Sequence, residues 1–292
     1  MGLALVGVFV VSTVGTSLFR NISRSRDYLE VVGRYGVERW VDMSLDSPDN
    51  SYPLGRVCGL SGDGYLVNAF VDFIRSDPRA SCAELAGVLA VVEDVWARYG
   101  KVPIEVGLYP TASCTSYLAS RILERYLVSG GFKVSVRVVE AIRSVEGFDE
   151  GLASLVDQVI GDVVDYSRRG FKVYVNATPG FKAETSFLVI ASILAGASAI
   201  YYIHESFRRP VKLPIVPLEV RRDYLSLLES IAREGGVELA YVYSTLGMTE
   251  ADVKDLEDRY LAYSDEARLK PRKWVVKLLE KLRWLREPEE GL

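Results

Sequence analysis

The sequence predicts an α/β protein: a doubly wound, mostly parallel sheet followed by a small C-terminal helical or winged-helix domain. Short apolar runs alternate along the chain with longer helical patterns, which is the order found in such sheets. The valine-rich run at residues 3–11 fits a central parallel strand that is buried on both faces. After Leu218 this alternation gives way to short amphipathic segments separated by glycines, which indicates a second unit.

The alternation assigns the elements in order. Strands are predicted over residues 3–11, 103–109, 132–140, 171–177 and 198–204. An edge strand is predicted over 211–217, because only an edge tolerates the prolines Pro210, Pro214 and Pro217. Helical patterns lie at 18–34, 64–76, 82–99, 149–168 and 180–195, and another runs from the loop at 110–116 to about 128. Ser81 and Glu84 are predicted to form a capping box at the start of the 82–99 helix.

A chain of 292 residues is long for one compact domain, and we expect two. The sheet domain is assigned to residues 1–208 and the C-terminal domain to residues 219–292. The second domain has helical patterns at 222–234, 237–246, 249–262 and 272–286. The net charge of -4 disfavours a protein that coats nucleic acid through an evenly basic surface. It does not exclude a local basic pocket.

The few cysteines and the single histidine limit the metal sites and catalytic residues that the chain can form. The three cysteines, Cys58, Cys82 and Cys114, fit no metal or redox spacing, so we expect reduced thiols in a cytoplasmic protein. The single histidine, His204, excludes His-rich zinc sites and disfavours a Ser-His-Asp triad. The apolar N-terminal run lacks a basic flank and a cleavage site and is too short to span a bilayer. Neither a metal, a cofactor nor a membrane is expected.

Three loops at the carboxyl ends of the predicted strands share a composition of small and hydroxyl-bearing residues. They are Ser12–Ser17, Pro110–Ser116 and Asn176–Lys182, and ligands bind at this edge of such sheets. The candidate ligand-binding residues in them are Thr13, Gly15, Thr16, Ser17, Thr111, Ser113, Asn176, Thr178, Pro179, Gly180 and Phe181. Neither a P-loop nor a G-x-G-x-x-G pattern is present, so ordinary nucleotide binding is disfavoured. Plain helix capping is the alternative explanation of these residues.

Lys182 is the residue that most strongly indicates an anionic ligand. A cation in the first turn of a helix opposes the helix dipole, and an anion bound at the same place reverses this cost. An exposed lysine that extends into water is the alternative. Tyr109 and Tyr117 flank the middle loop and suit either base stacking or packing.

Two motifs carry a family resemblance. The segments STVGTSLFRN and NATPGFKAE resemble the CRISPR-associated Rossmann-fold (CARF) family, and within it the stand-alone ring nucleases and related sensors. The resemblance covers about residues 1–205 and implies a Rossmann-like sheet. The family loop reads Thr-Gly-Gly-Phe-Lys, and Pro179 replaces its first glycine here. This replacement removes one N–H donor and stiffens the turn.

The resemblance implies a function. Members of this family bind cyclic oligoadenylates, often the tetra-adenylate, across a homodimer axis, and some cleave the ring without metal by attack of a ribose 2′-hydroxyl. Such cleavage switches off type III CRISPR signalling in antiviral defence. The implied catalytic residues are Lys182, which stabilises charge at phosphorus, and Ser12, which holds the attacking oxygen or a phosphate oxygen; Thr13 and Ser17 are alternatives to Ser12.

Two other interpretations stay open. In one, the protein is a non-catalytic cyclic oligoadenylate sensor that controls a DNA-binding winged-helix domain. Residues 268–286 support it with eight basic residues against one acidic residue, whereas residues 219–292 oppose it with 13 Lys and Arg against 16 Asp and Glu. DNA is therefore not favoured. In the other, the tail serves dimerisation, since its apolar positions suit helix–helix packing: Val275, Val276, Leu278, Leu279, Leu282 and Leu285.

Overall fold

A computed structural model describes residues 5–140, 147–180, 182–203, 210–233 and 235–286, with side chains as far as Arg283. Its main sheet has six strands in the order β3-β2-β1-β4-β5-β6. They are β1 (Gly7–Val14), β2 (Ile104–Pro110), β3 (Lys133–Val136), β4 (Phe171–Asn176), β5 (Ala199–Ile203) and β6 (Pro210–Leu213). The first five are parallel, and β6 pairs antiparallel with β5. The predicted fold class, with its edge strand, is confirmed.

Helices cover both faces of this sheet. They are α1 (Ser17–Ile22), α2 (Leu29–Tyr35), α3 (Arg56–Gly59), α4 (Gly64–Ser76), α5 (Pro78–Ser81), α6 (Ala83–Tyr99), α7 (Cys114–Ser129), α8 (Phe148–Leu155), α9 (Gly161–Arg168) and α10 (Lys182–Leu194). A π-helical segment, Val156–Ile160, joins α8 to α9. The single helix predicted over 18–34 is instead two helices, because the chain turns at Ser23–Ser25 and forms a 3-10 turn at Arg26–Tyr28.

Strand β1 shows why the sheet is doubly wound. All of its residues are buried, and they alternate between two apolar layers. Val8 and Val10 pack in the layer formed with α4, α6 and α7, whereas Phe9 and Val11 pack in the layer formed with the 156–164 segment and α10. The strand extends to Val14, beyond its predicted end, since Ser12 and Thr13 pair with Leu108 and Tyr109 of β2. Ser12 therefore belongs to the strand and not to the loop.

The C-terminal region has the arrangement of a winged helix. Its elements are α11 (Arg222–Ala232), β7 (Val237–Glu238), α12 (Leu239–Ser244), α13 (Glu250–Asp258), β8 (Ala262–Asp265), β9 (Arg268–Pro271) and α14 (Lys273–Arg286). The three strands form an antiparallel sheet in the order β7-β9-β8, and the β8–β9 hairpin is the wing. The helix predicted over 249–262 ends earlier, at Asp258, and the wing begins at Ala262.

Helix α14 joins the winged helix to the main sheet. Leu278 and Leu282 pack in the layer of the 156–164 segment, while Val275 packs in the core of the winged helix. The Asp149 carboxylate accepts the Lys273 and Trp274 backbone N–H groups at 3.0 and 3.2 Å and so caps α14. Four of the six apolar positions predicted for helix packing, Val275, Leu278, Leu279 and Leu282, therefore pack within the same chain.

The cysteines correct one prediction. Cys58 and Cys114 form a disulfide that links α3 to the start of α7, so these two are not the reduced thiols expected from their spacing. The two cysteines are 56 positions apart in sequence, so no local pattern indicated that they pair. Cys82 is a free, buried thiol whose pKa is raised well above its usual value by burial. In the part of the chain that the structure describes, no helix is long and apolar enough to cross a bilayer.

Candidate ligand-binding cleft

A cleft of about 590 Å³ opens at the carboxyl ends of β1, β2 and β4. It lies where the strand order reverses between β1 and β4, which is the place where open α/β sheets bind ligands. Its lining consists of Thr13, Val14, Gly15, Thr16, Ser17, Arg20, Leu45, Ala83, Glu84, Thr111, Thr178, Pro179, Gly180 and Glu184. All three loops chosen from the sequence therefore meet in one cleft.

The candidate residues divide into two groups. Those that line the cleft are Thr13, Gly15, Thr16, Ser17, Thr111, Thr178, Pro179 and Gly180. Among the described residues, four candidates are not part of the lining: Ser12, Ser113, Asn176 and Lys182. Phe181 and His204 lie outside the described residues.

Glu84 forms the wall of the cleft beside the β1–α1 turn. Its side chain is 1% exposed, and it accepts the Gly15 backbone N–H at 2.7 Å and the Ser17 hydroxyl at 2.9 Å. The Ser17 hydroxyl oxygen also accepts the Ala83 backbone N–H at 3.1 Å. The N–H of Gly15, a candidate ligand-binding residue, therefore already donates to a carboxylate of the protein itself.

The capping box predicted from Ser81 and Glu84 is wrong. Helix α6 begins at Ala83 after Cys82, which makes no side-chain capping bond. The Ser81 hydroxyl donates instead to the Pro78 carbonyl at 2.8 Å. Glu84 points across to β1, a contact between residues 69 positions apart that the local pattern did not reveal.

Asn176 connects the strand-four turn to the rest of the site. Its side-chain N–H₂ donates to the Ser12 hydroxyl and to the Glu84 backbone carbonyl, both at 3.1 Å. Its side-chain oxygen accepts the Thr178 backbone N–H at 3.2 Å. Helix α6 reaches this close because residue 87 is glycine, where a Cβ atom would lie only 2.1 Å from the Asn176 side-chain oxygen. Asn176 thus acts as a structural link behind the cleft.

Two threonine hydroxyls hold the Pro179–Gly180 turn in place by donating to its carbonyl group. The Pro179 carbonyl accepts the hydroxyls of Thr13 at 2.9 Å and Thr185 at 3.2 Å. Gly180 has φ +106°, and a Cβ atom there would meet the Thr13 and Thr185 hydroxyl oxygens at 2.8 and 2.9 Å. Pro179 has no N–H to donate, but its carbonyl holds the turn through these two hydrogen bonds. Gly180 is required because its positive φ and the two nearby hydroxyls leave no room for a side chain.

The lining of the cleft contains one cationic side chain, Arg20, and two carboxylates, Glu84 and Glu184. Lys182 is exposed and begins α10, between Gly180 and Glu184, which both line the cleft. Arg20 lines the mouth with its side chain half exposed. Glu184 is buried in the first turn of α10 and shares the wall with Glu84. Lys182, the cation predicted from the sequence, is next to the lining in sequence but not part of it, and neither carboxylate was among the predicted site residues.

The remaining candidates lie behind the cleft. Ser12 is fully buried, and its hydroxyl donates to the Thr13 carbonyl at 3.1 Å and accepts from Asn176. Ser113 caps α7, because its hydroxyl oxygen accepts the Ser116 N–H at 3.2 Å. In this conformation Ser12 and Ser113 support the loops and do not line the cleft.

Tyr109 packs in the core, and the packing interpretation of this residue is confirmed. Its hydroxyl donates to the Asp162 carboxylate at 2.6 Å, and Arg137 lies 2.8 Å from the other oxygen of that carboxylate. Burial raises the pKa of the Tyr109 phenol well above its usual value, so it stays protonated. Tyr117 is partly buried and its ring centre lies 5.3 Å from that of Tyr52.

One comparison bears on the site. The model of a family described as "CRISPR-associated protein (Cas_APE2256)" matches residues 79–216. This segment runs from α5 past β6 and includes Glu84, the Thr111 loop and the β4–α10 turn, but not β1. The match supports a CRISPR association. Within the described ranges, no group of three or more His, Cys, Asp or Glu side chains is placed to hold a metal ion.

Proposed function

We propose that this CRISPR-associated protein binds cyclic oligoadenylate, most favourably the tetra-adenylate, and cleaves it without metal, which switches off type III CRISPR signalling. The observation that carries the proposal is the cleft at the β1/β4 reversal. Hydroxyls from three loops line it, and Lys182 lies beside its strand-four turn. These groups suit a ligand with phosphates and ribose hydroxyls.

The reaction needs little from the protein. The ribose 2′-hydroxyl is tethered beside the phosphate, so the protein has to align it and stabilise charge at phosphorus. Lys182 supplies the positive charge. Thr13 or Ser17 holds the attacking oxygen, because both line the cleft, whereas Ser12 supports Asn176 from behind.

We expect two copies of the chain to share the ring. Pockets of about 300–1,000 Å³ enclose one drug-sized molecule, and a ring of four nucleotides is several times larger. The cleft of one chain, about 590 Å³, therefore holds part of the ring. A homodimer with a two-fold axis would present two equal clefts to a ring of four equal units.

The test is incubation of the protein with cyclic tri-, tetra- and hexa-adenylate in the presence of EDTA, followed by chromatography of the products. We expect the tetra-adenylate to give linear di-adenylate ending in a 2′,3′-cyclic phosphate, at a rate that EDTA does not change. Intact tetra-adenylate together with no heat of binding by calorimetry would reject the proposal. Intact ring with tight binding would reject cleavage alone.

The winged-helix arrangement favours a second candidate, a sensor that controls DNA binding. The charges oppose it, since α13, the second helix of the helix–turn–helix pair, carries five acidic residues and one lysine. Basic residues of α14 pair within the chain, Lys273 with Glu150 at 2.6 Å and Lys281 with Asp157 at 3.0 Å. We expect no gel shift of duplex DNA at low salt, with or without cyclic tetra-adenylate. A shifted band that weakens as salt is added would contradict this.

A further inference from the structure

The Ser17 hydroxyl differs from its neighbours in the cleft. Thr13 and Thr16 donate their hydroxyl protons to backbone carbonyls, those of Pro179 and Val41, both at 2.9 Å. Ser17 donates to the Glu84 carboxylate, also at 2.9 Å. A carboxylate is a stronger acceptor than a carbonyl, and it can take up a proton.

The Glu84 carboxylate is held in place from several sides. One oxygen accepts the Gly15 N–H and the other accepts the Ser17 hydroxyl, while the side chain is 1% exposed. The backbone of Glu84 belongs to the 17-residue helix α6, and its carbonyl accepts from Asn176. The carboxylate cannot rotate away without leaving the Gly15 N–H unpaired, so its position relative to Ser17 is fixed.

This arrangement determines what Ser17 can offer a ligand. Its proton is directed to Glu84, and one lone pair of its oxygen accepts the Ala83 N–H. The second lone pair can only accept a hydrogen bond. In the proposed reaction, the ribose 2′-hydroxyl is the group that must donate a proton.

We propose that Glu84 is a positioning residue that acts through Ser17, holding its hydroxyl as the acceptor for the attacking 2′-hydroxyl. The inference rests on the proposed function for the identity of the ligand. As the 2′-oxygen bonds to phosphorus, its proton passes to Ser17 and the proton of Ser17 passes to Glu84. The bond from phosphorus to the 5′-oxygen breaks, and that oxygen takes a proton from water. Glu84 returns its proton to solvent after the product leaves.

Glu84→Gln separates this role from a purely structural one. Glutamine has the same shape, and its amide oxygen still accepts the Gly15 N–H. Its amide nitrogen is a donor, so the hydrogen bond to Ser17 reverses. The Ser17 oxygen would then accept from both the glutamine and Ala83, and no lone pair would remain for the ligand.

The experiment measures single-turnover cleavage of cyclic tetra-adenylate, and its affinity by calorimetry, for Glu84→Gln, Ser17→Ala and the double variant. We expect Glu84→Gln to lower the rate about 100-fold, with the affinity changed less than about threefold. The double variant should be no slower than Ser17→Ala, because the two residues act as one unit. Glu93→Gln is the matched control: Glu93 is an exposed acid on the same helix, and its rate should equal that of the wild type.

Each outcome decides the inference. A wild-type rate in Glu84→Gln, or effects that multiply in the double variant, would overturn the role of Glu84 and leave the proposed function standing. Wild-type protein that does not cleave the ring would overturn the role of Glu84 together with the cleavage part of the proposed function. If Glu84→Gln fails to fold, Ser17→Ala decides, since it leaves the bond between Glu84 and Gly15 in place; an unchanged rate there also overturns the inference.

Discussion

Replacing Lys182 with alanine is expected to lower the rate of cyclic tetra-adenylate cleavage by about two orders of magnitude or more. Lys182 is exposed at the first residue of α10, next to a turn that lines the cleft. An ammonium group there opposes the helix dipole, so its position is unfavourable without an anion. Negative charge on a bound phosphate makes the interaction energy of the ammonium group favourable, and the gain is larger in the transition state, where more negative charge develops. The measurement is single-turnover product formation in EDTA.

The matched control is Lys101→Ala. Lys101 is an exposed lysine that precedes β2, at the amino end of the sheet and away from the cleft. The same change of charge at that position should leave the rate within about twofold of the wild type, because charges beyond the Debye length are screened. An unchanged rate in Lys182→Ala would remove Lys182 from the reaction. An equal loss in both variants would point to net charge instead of position.

The sequence predicted the sheet well because its signals are local. Valine-rich runs mark strands that are buried on both faces, and prolines mark the edge. Strand β1 was the instructive exception. Their polar side chains suggested that Ser12 and Thr13 belong to a loop, yet both pair with β2. In a central strand the backbone N–H and C=O groups form hydrogen bonds to the neighbouring strands, and these bonds do not depend on the side chains. That shift of the strand end moved Ser12 from the loop into the core.

The wall of the cleft could not be predicted in the same way. Glu84 reaches Gly15 and Ser17 across more than sixty positions, and its own neighbours suggested a capping box. Gly87 carries a hint, because a glycine inside a helix often marks a close approach, here by Asn176. Pairings this distant depend on how α6 packs against β1 and β4, which no local pattern contains.

Pro179 lies in a turn that is held by hydrogen bonds to its carbonyl. Relative to the glycine in the loop of the family that the sequence resembles, proline lacks an N–H that could contact a phosphate. In the structure the turn is fixed through the Pro179 carbonyl, which accepts from Thr13 and Thr185. The Thr13 proton is therefore directed to a carbonyl, which cannot take up a proton, whereas the Ser17 proton is directed to the Glu84 carboxylate. This strengthens the case for Ser17, and not Thr13, as the hydroxyl that receives the proton of the ligand.

Removing the Cys58–Cys114 disulfide is expected to lower the free energy of unfolding by about 4 kcal/mol, the largest stability effect we predict. The bond closes a loop with a sequence separation of 56, so it restricts many conformations of the unfolded chain. Non-covalent contacts between the same segments, such as the 2.9 Å hydrogen bond from the Thr115 N–H to Asn50, break on unfolding and therefore do not restrict the unfolded chain. The double variant Cys58→Ala/Cys114→Ala should therefore unfold about 10 °C lower than the oxidised wild type.

Reduction provides the matched experiment on the unchanged sequence. Thermal unfolding of the wild type with a phosphine reductant should lower the melting temperature toward that of the double variant, while the double variant should not respond to the reductant. Cys82→Ala is the control, because Cys82 is buried and outside the disulfide, so this variant should keep the full response. A wild-type melting temperature that stays constant after mass spectrometry shows the bond to be reduced would contradict the prediction. The stability would then come from the packing of α3 against α7, and the disulfide would be dispensable.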